Sequence, residues 1–308
     1  MTVCIGIPHV ACYLPECVDD VQRWGERTGQ SAATISRLVQ AGVHRYRDAR
    51  GRTAMSLAVR VIENLLRASA VAPGTIGCLV YAHTLQGSVA APPLSLPHLL
   101  CEHFGFANAD AFSFAQQHCA SALGALRIIR AIFTARPAMK RVLLTGADTM
   151  PLASDRLMGG VGLFGDGAFA VLIERDACVN RLLAVATHAS GHGWRGALEN
   201  EERHSAANYF LVTRRLIARV LDEAHCTLPE IQKILPHHLD LPAWRRLLES
   251  IGIPQDRLFA KNFSRIAHVS VSDPFINLAD CDDLISGRPF LLYAQGVGGF
   301  SAAALFAR

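Results

Sequence analysis

Several residue patterns that mark particular protein classes are scarce or missing in this sequence. Lysine occurs only at positions 140, 233 and 261, and the formal net charge at pH 7 is +4. So small a charge does not indicate binding to nucleic acid, although the many arginines suit phosphates and acidic protein partners. No apolar run approaches the roughly 20 residues of a membrane span, and the first residues lack a basic segment followed by a long apolar one. We therefore expect a cytoplasmic protein that binds neither a membrane nor nucleic acid.

Cysteines are present, but not in a pattern that points to a disulfide framework or a metal cluster. The nine cysteines are scattered along the chain, and no two form a CxxC pair. An odd, unpaired set of this kind predicts free thiols in a reducing compartment and no metal site. Hydrophobic residues make up 51% of the 308 residues, which is enough for one large core or two fused ones.

The same order of predicted elements occurs twice along the chain. Apolar residues at helical spacing predict a helix at residues 54–70 and another at residues 209–224, and each is followed by a proline-containing turn and an apolar strand. Each copy continues with a helix that starts at Leu-Pro, a short strand, a buried helix and a closing strand. The first copy reads LPHLLCEHFGF, AFSFAQ, QHCASALGALRIIRAIF and RVLLTGAD, and the second reads LPAWRRLLESIGI, RLFAKN, SRIAHVSVSDPFINL and PFLLYAQGVGG.

Alternation of helices with apolar strands predicts an α/β fold, because parallel strands need a connection as long as a helix. We predict two βαβαβ halves with mostly parallel sheets, residues 1–177 and 178–308, packed face to face. In this alignment of the two copies, Cys119 and His268 occupy equivalent positions. A site formed by equivalent loops would lie at the junction of the halves, which is a common place for ligands.

Cys119 is the candidate nucleophile. It follows the predicted strand AFSF and begins a predicted helix, where the helix dipole and free backbone N–H groups favour a thiolate. A single cysteine is more often a small buried apolar residue. Only its place on a strand-to-helix turn, with a counterpart in the second copy, distinguishes Cys119 from the other eight cysteines.

Two histidines are candidates for acid–base chemistry. His237 closes the predicted strand KILPHH, where a side chain faces the crevice of an α/β protein, and His268 opens the counterpart of the Cys119 helix. Any one of the thirteen histidines is more often structural when taken alone. Together with Cys119, these two supply a nucleophile, an acid or base, and an oxyanion stabiliser.

Glycines cluster in LFGDGAFAV and in AQGVGGFSA. Such glycines most often form turns, but a glycine loop after a central strand also lets a backbone N–H approach a substrate carbonyl. Neither run matches a Rossmann or P-loop fingerprint, so these segments do not predict nucleotide binding.

Five segments resemble, in order, the ketoacyl-acyl carrier protein synthase III family of the thiolase superfamily. They are QHCASALGAL, KRVLLTGADTM, SDRLMGGVGLFGDGAFAVLIE, ILPHHLD and FLLYAQGVGGFSAAAL. These resemble the family's nucleophile segment, its next strand, the Asp-Arg stretch that leads to FGDGA, the Pro-His-Gln motif and the glycine-rich C-terminal strand. The resemblance runs from about Gly42 to the last residue, and it implies a thiolase-like fold in which two pseudo-duplicated halves form a layered αβαβα sandwich.

The resemblance also implies the chemistry. Cys119 would take an acyl group from a thioester of coenzyme A or of an acyl carrier protein, with no further cofactor. His237 matches the family's catalytic histidine, and the backbone N–H groups of Cys119 and Gly298 would form the oxyanion hole. Arg156 matches the arginine that meets the adenine end of coenzyme A. A homodimer is implied as well.

Arg245 and Arg246 are candidates for docking an acidic carrier protein. They follow the Pro-His motif, near the place where the family has a docking arginine, although the directly matching position is Pro242. Paired surface arginines contribute little individually, so a solvated helix face is the competing interpretation.

The chain departs from the family at two places in this site. Where the family has Gly-Asn-Thr-Ser, residues 267–270 read AHVS, so the triad becomes Cys119, His237 and His268. Other condensing enzymes of the superfamily similarly use Cys-His-His. In this interpretation His237 serves the acceptor, and His268 completes the oxyanion site for the acceptor's carbonyl. Ala153 replaces a tryptophan of many relatives, which removes a stacking partner for coenzyme A.

Three functions remain open at this point. The first is condensation of an acyl-Cys119 thioester with a malonyl- or ketoacyl-thioester, in fatty-acid-like or specialised polyketide metabolism. The second is a non-condensing acyltransferase that esterifies or amidates an alcohol or amine. The third is a non-catalytic partner subunit of a heterodimeric condensing enzyme, and the presence of the cysteine, both histidines and the glycine loop argues against it.

Overall fold

The computed structural model describes residues 3–84, 90–91, 93–190 and 202–308, with side chains from residue 209 onward in the last range. Its strands are β1 (Ile5–Tyr13), β2 (Val18–Asp20), β3 (Arg45–Arg47), β4 (Cys78–Ala82), β5 (Asp110–Phe114), β6 (Arg141–Asp148), β7 (Leu157–Met158), β8 (Gly162–Leu163), β9 (Gly167–Arg175), β10 (Arg181–Ala189), β11 (Ile234–Leu235), β12 (Pro289–Gly296) and β13 (Phe300–Ala307). Its α-helices are α1 (Val21–Thr28), α2 (Ala32–Gln40), α3 (Ala54–Ser69), α4 (Leu96–Phe104), α5 (Ser121–Ala135), α6 (Glu202–Glu223), α7 (Leu241–Ser250), α8 (Phe263–Ile266) and α9 (Asp273–Asp280). Within the described ranges, none of these helices combines the length and apolar composition that a membrane span needs.

Nine strands form one sheet, in the order β11-β12-β13-β10-β1-β9-β6-β4-β5. The sheet consists of two corresponding sets of strands on either side of its centre. On one side β9, β6 and β4 follow β1, and on the other side β13, β12 and β11 follow β10. The two sets of strands meet where β1 and β10 pair antiparallel at Gly6 and Arg181. The expected division between residues 177 and 178 falls in the connection from β9 to β10, and it stays a prediction.

Among the described strands of this sheet, the parallel pairs are β4 with β5, β4 with β6, and β11 with β12. The other pairs of this sheet are antiparallel, so the expectation of mostly parallel sheets is wrong. The physical reason is connection length: only residues 297–299 separate β12 from β13, and so short a turn can join only antiparallel strands. The strand expected at RLFAKN is also wrong, since Leu258 makes one isolated bridge to Ile234.

Helices cover the outer faces of the strands and also fill the space between the two sets. The central layer contains α5 and α9, where Phe275 of α9 stacks on Phe169 of β9 with ring centroids 4.4 Å apart. These two helices share one buried apolar cluster with strands of both sets. Outside, α3 and α4 pack on the first set, and α6 and α7 pack on the second. The layered αβαβα fold class predicted from the sequence is thus confirmed.

Helix α3 illustrates how the sequence produces an outer layer. Its N-cap is Thr53, whose hydroxyl accepts the N–H of Ser56 at 3.2 Å. Leu57, Val61 and Leu65 recur at helical spacing and are almost completely buried. Because burial of each such side chain contributes about 1.5–3 kcal/mol, this stripe holds α3 on the sheet more than helix propensity does.

Two matching turns lie where the two sets of strands come together. One precedes α5 and begins at His118, the other precedes α9 and begins at Ser270, and these two residues have φ angles of 50° and 49°. The matched geometry makes Val271 the structural counterpart of Cys119. The sequence-based pairing of Cys119 with His268 is therefore wrong by three residues, because the turn residue with positive φ, and not the histidine, sets the alignment.

Each of these turns contacts a strand of the opposite set. Gly296 ends β12 and lies against the turn before α5, so close that a Cβ atom at this position would overlap the carbonyl oxygen of Gln117. Val271, in the turn before α9, packs against β6 in the same way. The absence of a side chain at Gly296 is what lets the turn carrying Cys119 approach the second set of strands.

This contact predicts that Gly296→Ala destabilises the fold. A backbone oxygen cannot rotate away as a side chain can, so we expect the free energy of unfolding to fall by about 1–3 kcal/mol, the usual cost of overpacking. Urea denaturation followed by circular dichroism measures it. Gly74→Ala is the matched control, because a Cβ at Gly74 meets no atom within 4 Å. Equal stability of the two variants would contradict the prediction.

Candidate active site

Cys119 lies in the middle of the turn between β5 and α5, with 1% of its surface exposed. Its sulfur is 3.2 Å from Nε2 of His268, which belongs to the second half of the chain. At the other side of the ring, Nδ1 of His268 donates to Oδ2 of Asp273 at 2.5 Å. A thiol, an imidazole and a carboxylate are therefore hydrogen-bonded in a row. This is the arrangement of a nucleophile, a base and the group that orients the base.

The FGDGA segment holds the backbone of His268. The N–H of His268 donates to the carbonyl of Leu163 at 3.0 Å, and the N–H of Gly165 donates to the carbonyl of His268 at 2.8 Å. A Cβ atom at Gly165 would overlap the carbonyl oxygen of Ile266, so this close approach needs glycine. The glycine motif noted in the sequence therefore positions His268.

Ala267, directly before His268, has a backbone conformation that is normally reserved for glycine. Its φ is 57° and its ψ is −152°. Such a conformation costs on the order of 1–3 kcal/mol for a residue with a side chain, and it persists only where surrounding contacts enforce it. One such contact is the hydrogen bond between the carbonyl of Ala267 and Nδ1 of His238, at 2.8 Å.

Asp273 accepts hydrogen bonds from three sides. Oδ1 accepts the N–H of Val269 at 2.7 Å, and Oδ2 accepts the N–H of His238 at 2.7 Å as well as the ring of His268. Oδ1 also lies 3.0 Å from Nδ1 of His238. Burial alone would raise the pKa of Asp273, but the two histidines hold that pKa far below its usual range. Asp273 is therefore a carboxylate at neutral pH.

The charge state of His268 is set by opposing effects. Burial would lower its pKa, but the charges and hydrogen bonds of Asp273 and Cys119 outweigh burial and raise the pKa of His268 to about 10. His268 is thus an imidazolium at neutral pH. A cation 3.2 Å from the sulfur stabilises a thiolate on Cys119 directly, in addition to the helix terminus expected from the sequence.

His237 lies beside this row and not in it. Its backbone N–H donates to the carbonyl of Tyr293 at 2.9 Å, and its ring centroid is 6.3 Å from that of His268. Burial, together with the charge on His268, lowers the pKa of His237 to about 3, so this ring is neutral at neutral pH. Its Nδ1 is buried and has no hydrogen-bond partner among the described residues. His237 is therefore a neutral donor or acceptor beside the ring of His268, and its catalytic role stays a prediction.

Gly298 lies in the turn between β12 and β13, with a φ of 84°. This left-handed conformation favours glycine. The turn directly follows Gly296, which contacts the loop carrying Cys119. The N–H of Gly298 is thus in the right region for an oxyanion hole. The oxyanion hole formed by the N–H groups of Gly298 and Cys119 stays a prediction.

Arg156 lies in a buried salt bridge and is 2% exposed. Its two terminal nitrogens donate to Oδ1 and Oδ2 of Asp166 at 2.9 and 2.8 Å, and the guanidinium lies 4.9 Å from the ring centroid of Tyr46. Asp166 also accepts the N–H groups of Ala49 and Met150. Contact between Arg156 and coenzyme A stays a prediction, and it would require the pair with Asp166 to open.

Arg245 and Arg246 are both exposed on α7, between positions whose side chains are buried. This placement suits a docking surface and also suits a solvated helix face. Their role in binding a carrier protein stays a prediction.

The remaining cysteines differ from Cys119 in their surroundings. Burial raises the pKa of Cys78 and of Cys281 to about 12, so both stay thiols at neutral pH. Cys178 is the exposed cysteine. Within the described ranges, no three histidine, cysteine or acidic side chains gather where they could hold a metal ion.

Two members of the site were missed from the sequence, Asp273 and His238. The available signals were an acidic residue five positions after His268 and the second histidine of the HH pair, where the family motif has glutamine. Neither signal is specific, because apolar periodicity does not reveal which polar side chains share a hydrogen bond across a turn.

Comparison with known proteins supports the resemblance. The family model described as 3-oxoacyl-[acyl-carrier-protein (ACP)] synthase III matches residues 115–191. Beta-ketoacyl-[acyl-carrier-protein] synthase III of Rhodobacter capsulatus is 27% identical over 283 residues, which cover 84% of each chain. The crystal structure of 3-oxoacyl-[acyl-carrier-protein] synthase III from Aquifex aeolicus VF5 superposes with a TM-score of 0.86 at 21% identity, over 99% of this chain and 100% of that one. A structure named ChlB3, an acyltransferase, superposes with a TM-score of 0.86 at 20% identity, over 98% and 97% of the two chains.

Proposed function

Since the chain is a ketoacyl-acyl carrier protein synthase III-like acyltransferase of the thiolase superfamily, we propose that Cys119 takes an acyl group from a thioester and passes it to a hydroxyl or amine acceptor. The observation that carries this proposal is the row formed by Cys119, His268 and Asp273. A base that is oriented by a buried carboxylate is suited to removing a proton from an attacking O–H or N–H group.

In the first half-reaction, the thiolate of Cys119 attacks the carbonyl carbon of a coenzyme A or carrier-protein thioester. A bond forms between that carbon and Sγ, and the bond from the carbon to the pantetheine sulfur breaks. His268 gives its Nε2 proton to the departing sulfur and becomes neutral, while Nδ1–H stays bonded to Asp273. The N–H groups of Cys119 and Gly298 stabilise the oxyanion of the tetrahedral intermediate.

In the second half-reaction, the acceptor attacks the acyl carbonyl of acyl-Cys119. Nε2 of His268 takes the proton from the acceptor's O–H or N–H group as the new bond forms, and the bond from the carbon to Sγ breaks. The thiolate and the imidazolium are thereby restored together, 3.2 Å apart. This assigns His268 as the base, in place of the oxyanion-stabilising role expected from the sequence.

Decarboxylative condensation with a malonyl- or ketoacyl-thioester is the second candidate. One observation favours it: His237 is neutral, buried and carries an Nδ1 without a partner among the described residues, so it can serve the enolate oxygen of an acceptor. His268, however, would have to act as a second such donor, whereas the carboxylate of Asp273 at its Nδ1 suits a ring that takes up a proton. A non-catalytic subunit is the least supported reading, because a buried charged row costs stability without serving a structural need.

The proposed function predicts acylation of Cys119 followed by transfer. Incubation with a panel of acyl-coenzyme A and acyl-carrier thioesters should add one acyl group to the intact protein by mass spectrometry, and peptide mapping should place it on Cys119. Cys119→Ala should not be labelled, whereas Cys178→Ala, which removes an exposed thiol, should label like the parent. Alcohol or amine acceptors should then remove the acyl group. If malonyl thioester removes it instead, with release of carbon dioxide, condensation replaces the proposal.

Asp273→Asn should slow the transfer to the acceptor by about 10²–10⁴-fold, because the amide cannot hold the charge that His268 acquires. Single-turnover transfer from isolated acyl-enzyme measures this step. Asp282→Asn is the control, since it changes an exposed carboxylate just beyond the same helix. If Asp273→Asn transfers the acyl group as fast as the control does, His268 is not a base oriented by Asp273.

We also propose that the protein is a homodimer. β5 is the edge strand of the sheet and leads directly to Cys119. An edge strand presents backbone groups that can pair with a second copy around a twofold axis, which gives an isologous interface. Light scattering at micromolar concentration should give twice the chain mass of 33.3 kDa. A monomer would contradict this assembly.

A further inference from the structure

His238 is fully buried, and acceptor atoms face both nitrogens of its ring. Nδ1 lies 2.8 Å from the carbonyl oxygen of Ala267 and 3.0 Å from Oδ1 of Asp273. Nε2 lies 2.8 Å from Oδ1 of Asn277. A carbonyl and a carboxylate can only accept, so Nδ1 carries a proton.

The orientation of Asn277 decides the state of the second nitrogen. Its amide Nδ2 donates to the carbonyl of Pro236 at 2.7 Å, and its Oδ1 accepts from Nδ2 of Asn262 at 2.9 Å. The oxygen of Asn277 therefore faces His238, and Nε2 must also carry a proton to make its hydrogen bond. With both nitrogens protonated, His238 is an imidazolium.

Asp273 is thus shared by two imidazolium rings, His268 and His238. In the proposed mechanism Cys119 reacts as a thiolate, so the buried row then holds two negative and two positive charges. Acylation removes the negative charge of the thiolate. Asp273 is then the carboxylate that remains beside His268, and its charge is shared with His238. A shared carboxylate stabilises a proton on Nε2 of His268 much less than an unshared one would.

We propose that His238 is a positioning residue for the second half-reaction. Its positive charge partly neutralises Asp273. Once Cys119 carries the acyl group, His268 is therefore unprotonated and ready to act as a base. This inference rests on the proposed function. It assigns a purpose to the histidine that stands where the resembling family has glutamine, because a glutamine can make hydrogen bonds there but carries no charge.

Charged, titratable and aromatic groups face the two rings from several elements. His268 is faced by Cys119 from the turn before α5, by Asp273 from α9, by the neutral His237 from the end of β11, and by the ring of Phe164. His238 is faced by Asp273, by the ring of Phe263 and by Asn277, and behind Asn277 lie Asn262 and the ion pair of Arg265 with Asp280. In the proposed mechanism, His268 is the group that gives up a proton in the first half-reaction and takes one in the second.

The test is the pH dependence of acyl transfer in the parent and in His238→Gln. Acyl-enzyme is isolated, acceptor is added between pH 5 and 9, and the single-turnover rate gives the apparent pKa of the base. Removal of a cation that shares Asp273 should raise this apparent pKa by about one pH unit or more. A merely structural role would lower the plateau rate at an unchanged apparent pKa, and that result would overturn the inference.

His44→Gln is the matched control, because His44 is an exposed histidine away from the row. It should leave the apparent pKa where it is in the parent. If no acyl group forms on Cys119 in the parent, the proposed function fails. If acyl-enzyme forms and transfers with the same pH dependence in the parent and in His238→Gln, only the inference about His238 fails.

A second measurement does not depend on activity or on the folding of a variant. In protein labelled with nitrogen-15 histidine, the ring signals of His238, assigned through contacts with Asn277, should show protons on both nitrogens at pH 7. One unprotonated ring nitrogen at pH 7 would overturn the inference.

Discussion

The buried carboxylate of Asp273 is the constraint on which the geometry of the site depends. A carboxylate without partners would be too costly to bury, so this one must be surrounded by donors. Those donors are the N–H of Val269, the N–H of His238 and the ring of His268. Each bond ties a different segment to the start of α9: the turn after Ala267, the end of β11 and the reactive imidazole. The position of His268 against the sulfur of Cys119 follows from this arrangement.

A second buried carboxylate, Asp166, organises the other side of the site. It accepts two bonds from Arg156 and the N–H groups of Ala49 and Met150, and so it fixes the connection from β6 to β9. The neighbouring Gly165 bonds to the carbonyl of His268. The two carboxylates therefore hold the same histidine from its side chain and from its backbone, which explains why Ala267 keeps a conformation unfavourable for a residue with a side chain.

Much of the fold could be predicted from apolar spacing. Apolar residues at helical spacing identified α3, and the apolar run RVLLTGAD identified β6. Pairing directions could not be predicted in this way, because strand direction depends on connection lengths and not on the strands themselves. The alignment of the two copies failed for a related reason. A positive φ at His118 and at Ser270 defines the matching turns, and a histidine or a serine in the sequence does not predict a positive φ.

By itself the sequence determined the fold class, the family resemblance and the place of Cys119 on a strand-to-helix turn, since these depend on periodicity and on local motifs. Tertiary structure decided which side chains act together. Only the folded chain brings His268 to Cys119 across 149 positions of sequence and closes Asp273 between two histidines. The physical reason is that a buried charge is stable only where its partners converge in space, and that convergence depends on backbone turns and packed layers that no single segment encodes.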